Sequence, residues 1–258
     1  MLRFSANLSM LFTEVEFPQR FERAANAGFG AVEVQFPYDW DVERLAEKLK
    51  QNNLKLVLHN LPPGKWDQGE RGIATMPDRV AEFQESVSKA IRYAKALRCP
   101  CLNCLVGMVP DQTPQEKVRQ TLADNLTFAA EALQAEKINL VIEMLNSRDV
   151  PGFYLNNTAD ALKLIDEINH PNLKMQYDVY HMQIMEGDLA RTIQENIDKI
   201  GHIQIADNPG RHQPGTGEIN FTNLFKFIEA SGYKGWIGCE YLPEGRTEDT
   251  LQFLSQYK

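Results

Sequence analysis

Ile138-Asn139-Leu140-Val141-Ile142-Glu143 is a short apolar run ending in an acid; Thr158 then opens a helical stretch over 159–168, and Leu173-Lys174-Met175-Gln176-Tyr177-Asp178 is a second apolar run ending in an acid. Runs of this length, rich in β-branched residues and bounded by turn residues, read as buried strands, whereas apolar spacing of three and four reads as helix. Strand, helix, strand is the unit of a parallel sheet. Working outward, the same alternation places strands at 2–6, 31–36, 54–60, 101–106, 138–144, 173–180, 202–207 and 236–241. Shared among eight units, the 258 residues give about 32 each, an ordinary βαβ length. The helices carry their own signals. Phe17, Phe21, Ala24 and Ala25 form one stripe over 17–27, with Gly28 as C-cap; Thr158 is the expected N-cap of 159–168; Asn220 opens a helix through Ile228, and Gly232 closes it.

No linker or low-complexity tract divides the chain, so one domain over 1–258 is expected. Its class is α/β, a (β/α)₈ TIM barrel. A doubly wound sheet could use the same units, but the Gly-rich fingerprint expected after its first strand is absent. Two connections, 61–79 and 208–218, are long enough to line a site or, for 61–79, to close over it.

Composition narrows the function classes. With 43% hydrophobic and 24% charged residues the chain is an ordinary globular one. A formal charge of -8, with no run of Lys and Arg, argues against nucleic acid as a partner. Arg3, Ser5, Asn7 and Ser9 interrupt the opening apolar residues, and no segment approaches the roughly 18 apolar residues of a membrane span, so a cytoplasmic protein is expected. Homo-oligomerisation is left open. The Cys101/Cys104 pair has knuckle spacing, but it lies in a buried-strand pattern with no second pair, and reduced buried thiols are the expected state of Cys99, Cys101 and Cys104.

Alternation along a strand decides which side chain opens onto a barrel mouth. By that rule four consecutive strands end in Glu143, Asp178, Gln204 and Glu240. Three unpaired carboxylates sharing a half-buried site would repel, and a divalent cation removes the conflict. Oxygen donors only, with Gln204 using its carbonyl, favour Mg²⁺ or Mn²⁺ over zinc. Such a cation, chelating a carbonyl and a neighbouring hydroxyl, acidifies the C–H between them, and Glu143 and Glu240 are the pair to move that proton. His181, three residues beyond Asp178, is placed to hydrogen-bond a substrate carbonyl, and His59 ends strand three. Arg71 and Arg211, in the two long loops, are the cations for an anionic substrate. His202 lies one layer below the mouth and is expected to pack rather than react.

Arg3-Phe4-Ser5-Ala6-Asn7-Leu8-Ser9-Met10, Gln204-Ile205-Ala206-Asp207-Asn208-Pro209, Pro214-Gly215-Thr216-Gly217-Glu218-Ile219-Asn220 and Gly238-Cys239-Glu240-Tyr241 together resemble the hydroxypyruvate isomerase family, within the xylose-isomerase-like barrels that include the tagatose and psicose 3-epimerases. The likeness runs the length of the chain. It implies that Glu143 and Glu240 are the proton carriers, that Glu143, Asp178, Gln204 and Glu240 match metal ligands, and that the substrate is a small oxo-hydroxy acid. Where the epimerases place a metal-binding His on strand seven, this chain has Gln204, which weakens the metal relative to the glutamates. The implied reaction interconverts hydroxypyruvate and 2-hydroxy-3-oxopropanoate through an enediolate. A sister group that isomerises 2-oxo-tetronate is similar over its whole length. A dehydratase of the inosose type would use similar residues to expel water. A three-zinc hydrolase of the endonuclease IV type would need more histidines than the five present and a basic face, and a non-catalytic sugar-binding barrel would have no use for two opposed glutamates.

Overall fold

A computed structural model of the chain describes residues 1–109 and 112–257. Eight strands, β1 (Phe4–Asn7), β2 (Ala31–Val34), β3 (Lys55–Asn60), β4 (Cys101–Cys104), β5 (Asn139–Glu143), β6 (Leu173–Asp178), β7 (Ile200–Ile205) and β8 (Ile237–Cys239), pair in chain order. All pairings are parallel, and β1 meets β8 through Phe4–Ile237, Ser5–Gly238 and Ala6–Cys239, closing a barrel. Helices α1 (Phe17–Asn26), α2 (Val42–Gln51), α3 (Val80–Leu97), α4 (Gln115–Ala135), α5 (Thr158–Ile168), α6 (Val179–Met185), α7 (Leu189–Glu195) and α8 (Phe221–Ala230) lie between them. Beyond β8, two 3₁₀ turns, Thr247–Thr250 and Gln252–Gln256, stand in place of a closing helix. None of the described helices is long and apolar enough to cross a membrane.

Closure leaves the strands covered on both faces, which is why they read as near-continuous apolar runs. Leu102, Leu140, Ile142, Met175, Ile203 and Ile237 are all fully buried in the main core, each contributing about 1.5–3 kcal/mol of burial. The inward row differs. Low in the barrel it holds the apolar group Leu58, Cys101 and Val141. Nearer the mouth it turns polar, with Ser5, Glu33, Asn103, Gln176, His202 and Gln204 all buried. The four cysteines are buried free thiols, and burial pushes Cys99 and Cys104 up to about 12.

Every strand shifts by one or two residues at one or both ends, and one helix cap differs. The strand expected over 173–180 stops at Asp178, whose carboxylate accepts from Tyr180 N at 2.8 Å and so caps α6. The strand expected at 202–207 starts two residues earlier, at Ile200. The N-cap of α5 is Asn157, accepting from Asp160 N at 2.8 Å, rather than Thr158, whose hydroxyl instead donates to Glu186 at 2.7 Å. Asn220 caps α8 as expected.

Candidate active site

Glu143, Asp178, Gln204 and Glu240 converge at the C-terminal mouth, all buried. Glu143 is the last residue of β5, and its Oε2 accepts from Asn103 Nδ2 at 2.8 Å. Glu240 follows β8; its Oε1 accepts from Asn7 at 2.8 Å, Gln35 at 3.0 Å and Gln204 at 3.3 Å, and its Oε2 from Arg211 at 2.7 Å. Asp178 Oδ2 is buried and makes no hydrogen bond, with Arg211 Nη2 at 3.7 Å.

Crowding sets the electrostatics. Burial first, then the charges of Glu240 and Asp178, push Glu143 well above the ordinary carboxylate range. Burial raises Glu240 to about 7 against the pull of Arg211, and raises Asp178 in the same sense. Arg211 itself is held charged by Glu240, Asp178 and Glu143, which outweigh its burial. With all three carboxylates ionised, one guanidinium would leave an excess of two negative charges, and the raised pKa values are the response to that crowding.

The loop carrying Arg211 is built by a residue that the sequence reading passed over. Asp207 accepts from the backbone N–H groups of Asn208, Gly215, Gly217 and Ile219 at 2.8–3.1 Å, drawing the loop around its carboxylate. Arg211, in the left-handed region at φ 58°, then projects over the Tyr180 ring at 5.2 Å toward Glu240.

His181 belongs to the mouth with a defined tautomer. Its Nδ1 receives the Asn146 backbone N–H at 3.1 Å, and a backbone N–H can only donate. The ring proton therefore sits on Nε2, 3.8 Å from Asp178 Oδ2. Burial, then Arg211, push the ring's pKa well below its ordinary value, so it is neutral. Glu143, Asp178 and His181 are near enough to hold a metal together. In this tautomer, however, His181 presents a hydrogen and not a lone pair, leaving the carboxylates as the donors. Gln204 also differs from expectation. Its carbonyl accepts from Gln176 Nε2 at 2.6 Å, while its Nε2 donates to Glu33 at 2.9 Å and to Glu240. To serve as an oxygen ligand it would have to turn its amide over.

Two expected residues are not brought to the mouth. His59 pairs in register with Leu102, which faces the helices, whereas Asn60 pairs with Asn103, which faces inward to Glu143. Neighbours in register share a face. His59 accordingly lies outside the barrel wall against Tyr38, with Tyr38 Oη 3.2 Å from its Nδ1, and burial lowers it to about 4. Arg71 stacks 3.7 Å over Trp66 and donates to the carbonyls of Trp66 and Glu70 in its own loop, apart from the carboxylates.

Below the mouth, Glu33 is fully buried and was not singled out from sequence. It accepts from Ser5 Oγ at 2.6 Å and Gln204 Nε2 at 2.9 Å, and its Oε1 lies 2.8 Å from His202 Nε2. Burial alone would raise its pKa, but His202, Ser5 and Gln204 together hold it below the ordinary range. His202 is thus a buried partner one layer down, as expected.

Comparison with known proteins agrees on the fold family. Residues 21–257 match the family described as the xylose isomerase-like TIM barrel. The chain is 55% identical to hydroxypyruvate isomerase of Escherichia coli over 258 residues, all of both chains. It is 44% identical to 2-oxo-tetronate isomerase of Pectobacterium atrosepticum, covering 97% of this chain and 96% of that one. A crystal structure from Brucella melitensis, named AP endonuclease, family 2, superposes with a TM-score of 0.98 at 44% identity over the full length of both chains. With a closed barrel, carboxylates at the ends of its later strands and full-length identity to two isomerases, the chain belongs to the hydroxypyruvate isomerase family of xylose isomerase-like TIM barrels.

Proposed function

We propose that this protein interconverts hydroxypyruvate and 2-hydroxy-3-oxopropanoate, with Glu143 and Glu240 carrying the proton. Full-length identity to the Escherichia coli enzyme supports the substrate. The observation that carries the chemistry is the pair of buried glutamates crowded at one mouth, with Arg211 and the His181 Nε2–H beside them.

In hydroxypyruvate the proton to be moved is on C3. Glu240 accepts from Asn7, Gln35, Gln204 and Arg211, a donor set that favours its carboxylate, so it is the base in this direction. It takes the C3 proton, and the electron pair shifts toward the C2 carbonyl oxygen, giving the enediolate. Neutral His181 donates its Nε2–H to that oxygen, and Arg211 balances the added charge. Glu143, pushed toward its protonated form, then delivers a proton to C2. The C3 hydroxyl proton passes to the former carbonyl oxygen, and C3 becomes the aldehyde. In the reverse direction the two glutamates exchange roles.

The donor set fits a divalent cation: the orphaned Asp178 Oδ2 is an oxygen awaiting a partner, and the two-charge excess of the fully ionised set matches Mg²⁺ or Mn²⁺. Glu143, Asp178 and Glu240 would hold it, and when bound it supplies Lewis-acid polarisation of the two substrate oxygens.

A second substrate, 2-oxo-tetronate, is favoured by the Pectobacterium relative, and one extra carbinol is a small difference for a pocket to reject. The endonuclease name of the Brucella structure has less support, because the mouth has one His/Cys/Asp/Glu group among the described residues and the chain is acidic. The deciding experiment is NMR of the protein with hydroxypyruvate and, separately, 2-oxo-tetronate, in D₂O with and without Mg²⁺ or Mn²⁺. Conversion of hydroxypyruvate with deuterium entering the product is expected. Strong preference for the four-carbon acid would move the protein to the sister activity, and turnover of neither would refute the assignment.

A further inference from the structure

Glu33 has no part in the reaction derived above, yet its surroundings are shaped for a carboxylate. Gly238, on the neighbouring face of β8, leaves the space it fills: a Cβ there would lie 2.3 Å from Glu33 Oε1 and 2.5 Å from Oε2. Three side chains from two other strands converge on it, Ser5 from β1 and His202 and Gln204 from β7. Gln204 connects this group to the reaction. Its one amide nitrogen donates to Glu33 Oε2 at 2.9 Å and to Glu240 Oε1 at 3.3 Å, so its two N–H bonds are shared between a carboxylate below and a carboxylate at the mouth. Its carbonyl is fixed from the other side by Gln176. Without Glu33, the Gln204 amide would be oriented only by Gln176 at its carbonyl and by the longer bond to Glu240 at its nitrogen.

We infer that Glu33 is a positioning residue for Glu240, acting through the side-chain amide of Gln204. It fixes which edge of that amide meets Glu240, and thereby keeps Glu240 Oε1 engaged while Oε2 points to Arg211. A purely structural hydrogen bond with His202 would stabilise the barrel but would leave Glu240 unaffected. The inference rests on Glu240 being a proton carrier, and the two claims separate experimentally.

Glu33→Gln is nearly isosteric and tests it in two ways. Kinetically, kcat should fall by about 10- to 100-fold, the scale of a slightly misplaced reacting group, with KM within about threefold. In a Glu240→Gln background, where exchange at C2 of the isomer is the activity retained, the same change should leave that exchange rate unaltered, because its effect passes through Glu240. Equal proportional losses in both backgrounds would overturn the inference. Spectroscopically, the side-chain amide protons of Gln204, identified as the pair missing from Gln204→Leu, should exchange slowly with solvent in the parent and at least about tenfold faster in Glu33→Gln, since a neutral amide offers Ser5, His202 and Gln204 one acceptor oxygen in place of a two-oxygen carboxylate. Unchanged exchange would also overturn it. If Glu33→Gln does not fold, Glu33→Asp, which keeps the charge but falls short of Gln204, is read by the same two criteria. Should the parent convert neither oxo-acid, the proposed reaction fails while amide exchange still decides the role of Glu33.

Discussion

Replacing Glu240 by Gln should make the metal-free protein relatively more stable at alkaline pH than at acid pH, and the size of that change follows from the crowding at the mouth. The folded Glu240 carboxyl titrates at about 7, against 4.5 in the absence of its surroundings. Because the folded pKa is the higher one, the stability it contributes is fully present below about 4.5 and is lost as pH rises through about 7. Between pH 5 and pH 8.5 the parent should therefore lose about 2 to 3 kcal/mol that Glu240→Gln, which cannot ionise, retains. For a chain of this length, with unfolding entropy of about 2 cal/mol/K per residue, this corresponds to roughly 4 to 6 °C in Tm. Both proteins would be melted in chelator at the two pH values, and the difference between their Tm values compared. Taking that difference cancels the opposite contributions of His59 and His181, whose depressed pKa values make stability fall as pH drops below their ordinary range. Added Mn²⁺ should stabilise the parent at pH 8.5 and shrink the gap. A Tm difference that is the same at both pH values would refute the reasoning that burial and neighbouring charge hold this carboxyl up.

Arg211→Met removes the guanidinium that meets Glu240 and faces Asp178, and kcat/KM at neutral pH should fall by at least about 100-fold, the scale of losing a buried hydrogen-bonded charge, as read by initial rates. His59→Gln should leave kcat/KM within about twofold, since the ring lies outside the barrel wall, while lowering Tm by a few degrees through lost packing against Tyr38. His181→Phe keeps a buried ring but removes the Nε2–H donor, and should lower kcat by about 100-fold; because the buried Asn146 N–H loses its acceptor, Tm should also fall by a few degrees. Gly238→Ala forces a methyl against the Glu33 carboxylate and should destabilise the fold by about 1–3 kcal/mol in denaturant unfolding.

The barrel was legible because each strand is buried on both faces and each helix on one, so the two periods alternate without ambiguity from residue 2 to residue 241. The acids of the mouth were legible for the same reason: in β5, β6 and the run after β7, counting by two from an apolar run leads to Glu143, Asp178 and Glu240. His59 stands out by its place at the expected end of a strand, not by that count. It is next to last in β3, and a slip of one residue exchanges the faces of a strand, so Asn60 is the inward neighbour. Glu33 had a readable signal in Ala31-Val32-Glu33-Val34-Gln35, where a charge inside an apolar strand shares a face with Gln35. Its partners, from β1 and β7, could not be read from spacing because they are distant in the chain. Asp207 carried no signal of its own in the sequence, and only the loop folded around it reveals that it binds backbone N–H groups. The tautomer of His181 depends on the Asn146 backbone, which no pattern of residue types encodes.

The claim at the centre of this account is that two glutamates move one proton between adjacent carbons. It is tested most directly by following deuterium entry into hydroxypyruvate and its isomer in D₂O, by NMR, for the parent, Glu143→Gln and Glu240→Gln. The account predicts that both variants lose isomerisation, and that each retains exchange at one carbon only, at C2 of the isomer in Glu240→Gln and at C3 of hydroxypyruvate in Glu143→Gln. Undiminished isomerisation in either variant would contradict it.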